Sequence, residues 1–299
     1  MKLALKLAGW ALAAVLILAL GAVAAIYMGS NSRLGKKYEV RVASVVIPVT
    51  PEAIARGRHL AHSRGCADCH GADMGGAKVI DDPAMGKIYG PNLTRGRGGL
   101  PGSYSDDDYV RAIRHGVAQD GRGLFLMPSE EYATFSEVDL RSLVAYLKSL
   151  PAVDRERGPI ALGPIGRMLT ATGQIKLAAE RIDHANVKPA TIPPGVTPAY
   201  GSYVAASCTG CHGPNFSGGK IAVGPPDWPP ASNLTSHPGA AIAQWTEADF
   251  IQAMRTSKRP DGSEISAVMP RAFALLDDME LKALWAYFKT LPPVATGVR

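Results

Sequence analysis

The stretch Cys66-Ala67-Asp68-Cys69-His70 recurs as Cys208-Thr209-Gly210-Cys211-His212, and a Met-Pro pair follows each histidine at the same interval, as Met127-Pro128 and Met269-Pro270. In a Cys-x-x-Cys-His run, two thiols one helical turn apart can each bond a vinyl group of a haem, while the histidine offers imidazole to the iron. A thioether sulfur can fill the opposite position. The repeat therefore predicts two haem c cofactors. The predicted site residues are Cys66, Cys69, Cys208 and Cys211 for covalent attachment and His70, Met127, His212 and Met269 as axial iron ligands.

The number of cysteines argues against roles other than haem attachment. All four cysteines lie inside the two motifs, so none is left for a disulfide, a catalytic thiolate or a separate Cys-ligated zinc site. A single Cys-x-x-Cys pair is also typical of a zinc knuckle or a redox dithiol. Zinc would need further ligands, however, and a redox dithiol does not need the adjoining histidine. Two complete motifs favour haem over both alternatives.

An apolar segment precedes the first motif. Residues 7–28 run for 22 residues without a charge, which is long enough to cross a hydrocarbon core of about 30 Å. A cleaved secretory signal is the alternative, since Ala22-Val23-Ala24 offers a small-x-small cleavage site. The segment is longer than the usual signal core of about 7 to 15 residues, so an uncleaved anchor that binds the lipid bilayer is preferred.

The net charge of +6 is confined to the N-terminal part. Residues 1–64 contain nine Lys or Arg and two acidic residues, whereas the rest of the chain contains 23 basic and 24 acidic residues. The excess therefore lies next to the predicted anchor, where anionic lipid headgroups are the natural partner. No basic helix or aromatic-basic platform indicates nucleic-acid binding.

The chain is an internal duplication. The motifs and the Met-Pro pairs repeat at an offset of 142 residues, and Asn92-Leu93-Thr94 matches Asn233-Leu234-Thr235 at 141. Each unit of about 100 residues is therefore expected to be one domain. The predicted divisions are an anchor at 1–32, a tether at 33–48, a first haem domain at 49–151, a linker at 152–196, a second haem domain at 197–293 and a tail at 294–299. The linker is expected to set the geometry between the haems, either as a tether or packed across both domains.

Helix signals occur at equivalent places in both units. Thr-Pro pairs at 50–51 and 197–198 place a capping oxygen before a proline at the first helical position. Apolar residues near the end of each unit recur with helical spacing, and no strand pattern persists between the helices. The sequence therefore predicts an all-α fold with long loops around each haem. Capping boxes are predicted at Ser105 with Asp108, Ser136 with Asp139, Thr246 with Asp249 and Asp277 with Glu280.

Nine methionines compete for the axial positions, and the repeat selects among them. Only Met127 and Met269 coincide between the two units, and the proline after each stiffens the loop that must aim the sulfur. Five histidines lie outside the motifs, and none has a histidine opposite it. His115 is the best alternative sixth ligand of the first haem, although a structural role is preferred for it. The other four are His59, His62, His184 and His237.

The motifs carry a family resemblance over most of the chain. Gly90-Pro91-Asn92-Leu93 resembles the Gly-Pro-x-Leu loop of class I cytochromes c, which implies that the Pro91 carbonyl accepts the ring N–H of His70. The second unit has Ser232 opposite Pro91, and Pro230 is a possible substitute acceptor for His212. The Cys-x-x-Cys-His-Gly, Asn-Leu-Thr, Met-Pro and closing Ala-Tyr-Leu/Phe-Lys-x-Leu-Pro segments resemble the cytochrome c subunits of membrane-bound alcohol, aldehyde and gluconate dehydrogenases.

The resemblance implies a function and a location. With His and Met on its two faces, each iron has no open position for a substrate, so the expected role is one-electron relay from a dehydrogenase partner to a respiratory acceptor. The alternatives are a dihaem peroxidase or thiosulfate dehydrogenase and a haem subunit of a terminal oxidase. A soluble electron carrier is a further possible partner. Haem attachment in such cytochromes implies periplasmic domains on a single-pass protein of the bacterial inner membrane.

Overall fold

In a computed structural model of the chain, which describes residues 1–221, 224–225 and 227–298, α-helices are the main regular elements. They are α1 (Lys2–Gly35), α2 (Pro51–Ser63), α3 (Cys66–His70), α4 (Asp106–His115), α5 (Ser129–Tyr132), α6 (Glu137–Ser149), α7 (Pro164–Ala171), α8 (Pro198–Ala205), α9 (Thr209–His212), α10 (Glu247–Thr256) and α11 (Asp278–Phe288). Short 3₁₀ turns cover Ala178–Glu180, Ala206–Cys208 and Arg271–Leu275. The predicted helical fold class is confirmed.

A small antiparallel sheet was not expected from the sequence. Its strands are β1 (Ala77–Asp82), β2 (Gly86–Gly90) and β3 (Ala161–Leu162), in that spatial order. The side chain of Asp82 accepts hydrogen bonds from the backbone of Ala84 and Met85 and closes the turn between β1 and β2. With only a few apolar residues per strand, this hairpin lacks the sustained alternation by which a strand is recognised in a sequence.

Within the described part of the chain, α1 is the one helix long and apolar enough to cross a membrane. Its C-terminal end is held by the linker. Arg167 of α7 lies over the Tyr27 ring at 4.3 Å and donates to the side chain of Asn31 at 2.9 Å. Arg33 pairs with Glu180 at 2.6 Å. The linker therefore packs against the end of α1 and is not a free tether.

Both units are built around the same helix crossing. Helix α2 packs on α6 in the first unit, and α8 packs on α11 in the second. Each crossing requires a glycine, because a Cβ on Gly57 would lie 1.9 Å from the carbonyl oxygen of Ser142 and a Cβ on Gly201 would lie 1.9 Å from that of Ala283. The two glycines allow the backbones to approach, and each helix pair supports the haem motif that follows its first helix.

Helix caps form largely where they are predicted. Thr50 and Thr197 cap α2 and α8 through their side-chain oxygens. Reciprocal capping boxes start α4, α10 and α11. Ser136 caps α6, but the Asp139 carboxylate does not return to the Ser136 N–H and instead accepts from Arg56 and Tyr203. The predicted box at α6 is therefore only half formed, because a partner in the other unit binds its carboxylate.

The two units contact each other directly through these helix N-termini. The Tyr203 hydroxyl of the second unit donates to Asp139 of the first at 2.5 Å. In return, His59 Nε2 of the first unit contacts Glu280 of the second at 2.7 Å, and Arg64 Nη2 donates to Glu280 at 2.8 Å. The domains are therefore joined by buried polar contacts as well as by the linker.

Candidate cofactor-binding sites

Each Cys-x-x-Cys-His motif forms a short helical turn, α3 or α9. The glycine after each histidine has a left-handed φ of 79°, and its N–H caps the turn on the residue after the first cysteine. Glycine tolerates this conformation without the steric penalty of a Cβ. The turn ends immediately after the histidine, and in the second motif Cys208 is the last residue of the 3₁₀ turn directly before α9.

A backbone carbonyl orients the first motif histidine. His70 is 9% exposed, and its Nδ1 lies 2.9 Å from the Pro91 carbonyl oxygen, as the resemblance implies. Donation from Nδ1 leaves the lone pair on Nε2, the nitrogen that can bind a metal. Burial lowers the pKa of His70, which keeps the imidazole neutral and able to act as a ligand.

The second histidine has an equivalent acceptor. His212 Nδ1 lies 2.7 Å from the carbonyl oxygen of Ser232, the residue opposite Pro91. Pro230, the possible substitute in the sequence, does not supply the acceptor. Because the acceptor is a backbone oxygen, the side chain at that position does not need to be proline. The same orientation of the imidazole is thus retained in both units despite the sequence difference.

The repeated Asn-Leu-Thr segment fixes the loop that presents these carbonyls. The side chain of Asn92 donates to the Val153 carbonyl at 2.7 Å and accepts from the Thr94 N–H at 2.9 Å. Asn233 makes the matching bond to the Val294 carbonyl at 2.8 Å. Each asparagine is nearly fully buried, at 2% and 3% exposed. The Asn-Leu-Thr segment therefore joins the loop that carries the acceptor carbonyl to the residues that follow the final helix of its unit.

A cavity of about 340 Å³ lies at the second motif. Cys208, Cys211, His212 and Met269 all line it, so the four residues predicted for the second haem are brought together. Ser232 lines the same cavity. The second motif therefore presents both of its thiols and its imidazole to the cavity together with the Met269 thioether, which is the donor set that haem c attachment requires.

Residues of the first unit close one side of this cavity. They come from the first motif and from the segment after Met127, and the sequence repeat does not indicate them because they serve the other unit. The Glu131 side chain packs so closely on Gly210 that a Cβ there would lie 2.5 Å from Oε1. Burial first, and then the Glu130 charge, raise the pKa of Glu131 to about 8. The residues concerned are Arg64, Gly65, Asp68, Cys69, Pro128, Glu131 and Tyr132.

The first motif adjoins the first hydrophobic core. Cys66 and Met127 are partly buried against a cluster that contains the fully buried Met74. Met74 has a left-handed φ of 54°, and the residue opposite it in the second unit is Phe216, with a φ of 60°. A phenylalanine cannot bind iron, so this position serves core packing in both units. Met127 is then the better candidate ligand in the first unit.

The thiols are poorly suited to the alternative roles of a Cys-x-x-Cys pair. Burial raises the pKa of Cys66 and of Cys208 to about 12, and it raises the pKa of Cys69 as well. Reactive or zinc-binding cysteines need an accessible thiolate, which a lowered pKa favours. Buried thiols of raised pKa, of which Cys69 and Cys208 line the cavity, fit covalent attachment of a haem better than either alternative.

The remaining histidines have structural contacts. His115 Nδ1 lies 3.2 Å from His184 Nδ1 of the linker, and burial together with the His184 charge lowers the pKa of His115 to about 4. His62 contacts the Tyr146 hydroxyl at 3.4 Å, and His237 accepts the N–H of Gly239. The imidazole of His59 is bound to Glu280, as described above.

Comparison with known proteins assigns the two units. Residues 52–147 match the family described as cytochrome c oxidase, cbb3-type, subunit III, and residues 198–292 match the cytochrome c family. The chain contains two cytochrome c domains. Such domains bind haem c, and the thiol, imidazole and thioether groups that line the cavity fit this cofactor.

Similar proteins include cytochrome subunits of dehydrogenases. The chain is 28% identical over 265 residues to the fructose dehydrogenase cytochrome subunit of Gluconobacter japonicus, covering 81% of this chain and 53% of that protein. It is 27% identical to the alcohol dehydrogenase (quinone) cytochrome c subunit of Gluconacetobacter polyoxogenes, covering 85% and 60%. The chain thus spans just over half the length of these relatives, and the resemblance to dehydrogenase cytochrome c subunits is confirmed.

A third relative matches over most of its own length. The chain is 26% identical over 274 residues to a protein of Cereibacter sphaeroides named diheme cytochrome c-type, covering 82% of this chain and 88% of that protein. The match extends over most of both chains, and the name of that protein states two haems. The two-domain arrangement therefore also has a relative of comparable length.

Proposed function

We propose that this chain is a c-type cytochrome that binds one haem in each domain and relays single electrons. Cys66 with Cys69, and Cys208 with Cys211, hold the two haems covalently. The axial ligands are His70 with Met127 and His212 with Met269. When bound, each haem would supply a one-electron couple, and the histidine and methionine side chains that would hold its iron would leave no position for substrate.

One observation carries this proposal: both motif histidines donate Nδ1–H to a backbone carbonyl, at 2.9 Å and 2.7 Å, and therefore present Nε2 in the same tautomer. A fixed hydrogen bond of this kind orients a ligating imidazole and raises its basicity. The soft thioether on the other side stabilises the reduced iron. Two imidazoles that are already oriented suit a relay that must avoid large rearrangement between redox states.

The donor and the location are part of the proposal. Relatives named as cytochrome subunits of fructose and alcohol dehydrogenases support a dehydrogenase as the electron donor, with a respiratory component as the acceptor. Helix α1 would anchor the chain in the inner membrane, and the domains would lie on its periplasmic side. The docking of α7 on the end of α1 would hold the domains close to the bilayer surface.

The ligand assignment predicts the effect of removing either sulfur. Met127→Ala and Met269→Ala should each remove about half of the sulfur-to-iron charge-transfer absorption of the oxidised holoprotein and lower one midpoint potential. Met74→Leu is the matched control, because Met74 is a fully buried core residue with a phenylalanine as its counterpart. An unchanged spectrum in either alanine variant contradicts the assignment.

The haem count and the partner need two further measurements. The pyridine haemochrome assay of the purified chain should give two haems c per polypeptide. Purification in mild detergent from cells should recover a dehydrogenase subunit that reduces both haems when its substrate is added. Peroxide or thiosulfate turnover by the isolated chain, or recovery of a copper-containing oxidase as the partner, contradicts the proposal.

A further inference from the structure

Arg64 lies at the junction of the two domains. It stands two residues before Cys66, and its side chain is only 2% exposed. The Tyr132 hydroxyl donates to its carbonyl oxygen at 3.0 Å, and its own Nη2 donates to Glu280 of the second domain at 2.8 Å. Counting back from the second motif, the equivalent residue is Ala206. The buried cation is therefore specific to one side of the interface.

The charge of Arg64 reaches both haem-attachment motifs. Arg64 belongs to the first domain, yet it lines the cavity of the second motif together with Cys208 and Cys211. Burial is the main influence on the pKa of Cys66 and of Cys208, which it raises, and the positive charge of Arg64 opposes that rise at both thiols. One side chain thus influences the electrostatics of the two sites at once.

The guanidinium of Arg64 is incompletely paired. Its Nη1 is buried, and no group among the residues that the structure describes accepts a hydrogen bond from it. A buried cation with an unpaired donor is unfavourable unless another interaction compensates for its loss of water. Glu280 compensates in part, but it contacts only Nη2. The remaining positive charge lies at the wall of the cavity that holds the second motif.

We propose that Arg64 raises the reduction potentials of the haems attached at the two motifs beside it and so tunes electron transfer between the two domains. The inference rests on the proposed function. When a haem iron accepts one electron from its donor, the charge of the site falls by one unit. A nearby cation in a poorly solvated interior stabilises that reduced form, and the Glu280 carboxylate opposes it. Arg64 and Glu280 should therefore act on the potentials with opposite signs.

The opposite signs expected for Arg64 and Glu280 distinguish electrostatic tuning of the haems from a purely structural role of the ion pair. Arg64→Gln and Glu280→Gln each break the same ion pair between the domains. If the pair only clamps the interface, the two variants should disturb the haem sites in the same way. If Arg64 tunes the haems, Arg64→Gln removes the buried cation beside the Glu280 carboxylate and lowers the potentials, whereas Glu280→Gln leaves Arg64 without its carboxylate and raises them.

The experiment is a spectroelectrochemical redox titration of the full-length, detergent-solubilised holoprotein. In Arg64→Gln, the equilibrium constant for reduction should fall about tenfold at one or both midpoints, which corresponds to about 59 mV for a one-electron couple. Glu280→Gln should shift a midpoint in the opposite direction. Arg64→Lys, which keeps the charge, should stay within about threefold of the wild type. Arg97→Gln is the control, because that arginine side chain is 72% exposed.

The inference is overturned if Arg64→Gln shifts neither midpoint more than Arg97→Gln does, if Glu280→Gln leaves both unchanged, or if the two glutamine variants shift the potentials in the same direction. The haemochrome assay on each variant confirms that both haems are attached before titration. Failure of the proposed function would appear differently, as a wild-type chain without two redox-active haems.

Discussion

At the level of single residues, backbone groups perform much of the positioning in these sites. The imidazoles of His70 and His212 donate to the carbonyls of Pro91 and Ser232, two residues with quite different side chains. The tautomer that both histidines need is therefore compatible with substitution at the acceptor position. Side chains matter more where an ionisable group is buried, as at Glu131 and Arg64 in the wall of the cavity at the second motif.

The raised pKa of Glu131 predicts that the stability of the protein depends on pH. Its pKa is raised from 4.5 to about 8, mainly by burial, with the Glu130 charge adding to the rise and Arg181 opposing it. An acid whose pKa is higher in the folded state favours folding when it is protonated. Its contribution is complete below about pH 4.5 and is lost as the pH rises through about 8.

The free energy of unfolding of the wild-type holoprotein should therefore decrease between about pH 5 and pH 8, and Glu131→Gln should make this decrease smaller. Urea unfolding followed by circular dichroism at several pH values measures both slopes. Glu156→Gln, at an exposed position, provides the control. Parallel slopes in the wild type and Glu131→Gln would show that Glu131 does not titrate in this range.

At the level of the elements, a glycine in the first helix of each domain permits the central crossing. Gly57 and Gly201 lie where α2 meets α6 and where α8 meets α11, and neither position has room for a methyl group. The motif turns α3 and α9 begin shortly after these crossings. The position of each motif therefore depends on how closely the two helices approach.

Gly57→Ala should destabilise the protein although alanine favours helix formation. The helix propensity gain is about 1 kcal/mol, whereas separating the packed backbones costs about 1 to 3 kcal/mol and more where the contact is main chain. A net loss of about 1 to 2 kcal/mol is expected from urea unfolding. Gly102→Ala is the control, since nothing lies within 4 Å of its added Cβ. Equal stability of the two variants would argue against close packing at Gly57.

At the level of the whole molecule, the two domains contact each other through equivalent elements. His59 and Tyr203 each stand two residues after the crossing glycine of their domain, and each contacts the carboxylate at the third position of the final helix of the other domain. Those carboxylates, Asp139 and Glu280, are related by the 141-residue offset of the duplication. The interface is therefore reciprocal, with Arg64 as an asymmetric addition on one side.

This interface predicts a loss of stability in acid. Burial alone would raise the pKa of Glu280, but the hydrogen bond from His59 and the charge of Arg64 hold it at about 2, below the usual 4.5. An acid whose pKa is lowered on folding stabilises the protein above its unfolded pKa. This contribution is present above about pH 4.5 and is lost as the pH falls through about 2.

The wild-type holoprotein should accordingly lose unfolding free energy more steeply between pH 4.5 and pH 2 than Glu280→Gln does, as measured by urea unfolding across that range. Glu264→Gln, another exposed acidic position, serves as the control. Identical acid slopes for the wild type and Glu280→Gln would mean that the ion pair does not contribute to the stability of the folded state.

Local features could be predicted from the sequence because they depend on residues that are close along the chain. The motif turns, the capping residues of α2, α4, α8, α10 and α11, and the long apolar helix all follow from short-range chemistry and periodicity. Duplication added long-range information, since two copies of one domain must use the same positions. It selected Met127 and Met269 from nine methionines, whereas the small sheet had too weak a pattern to be seen.

The contacts between the domains could not be predicted from the sequence by periodicity or by the repeat. Arg64, Glu131 and Tyr132 line a cavity whose motif lies more than 75 residues further along the chain, and no spacing or repeat connects them to it. The acceptor of His212, which the sequence left open, also depended on how a loop folds back to place the Ser232 carbonyl beside the imidazole. Such contacts arise when helices pack and carry buried charges across the interface, and they depend on distances in space that residue order does not encode locally.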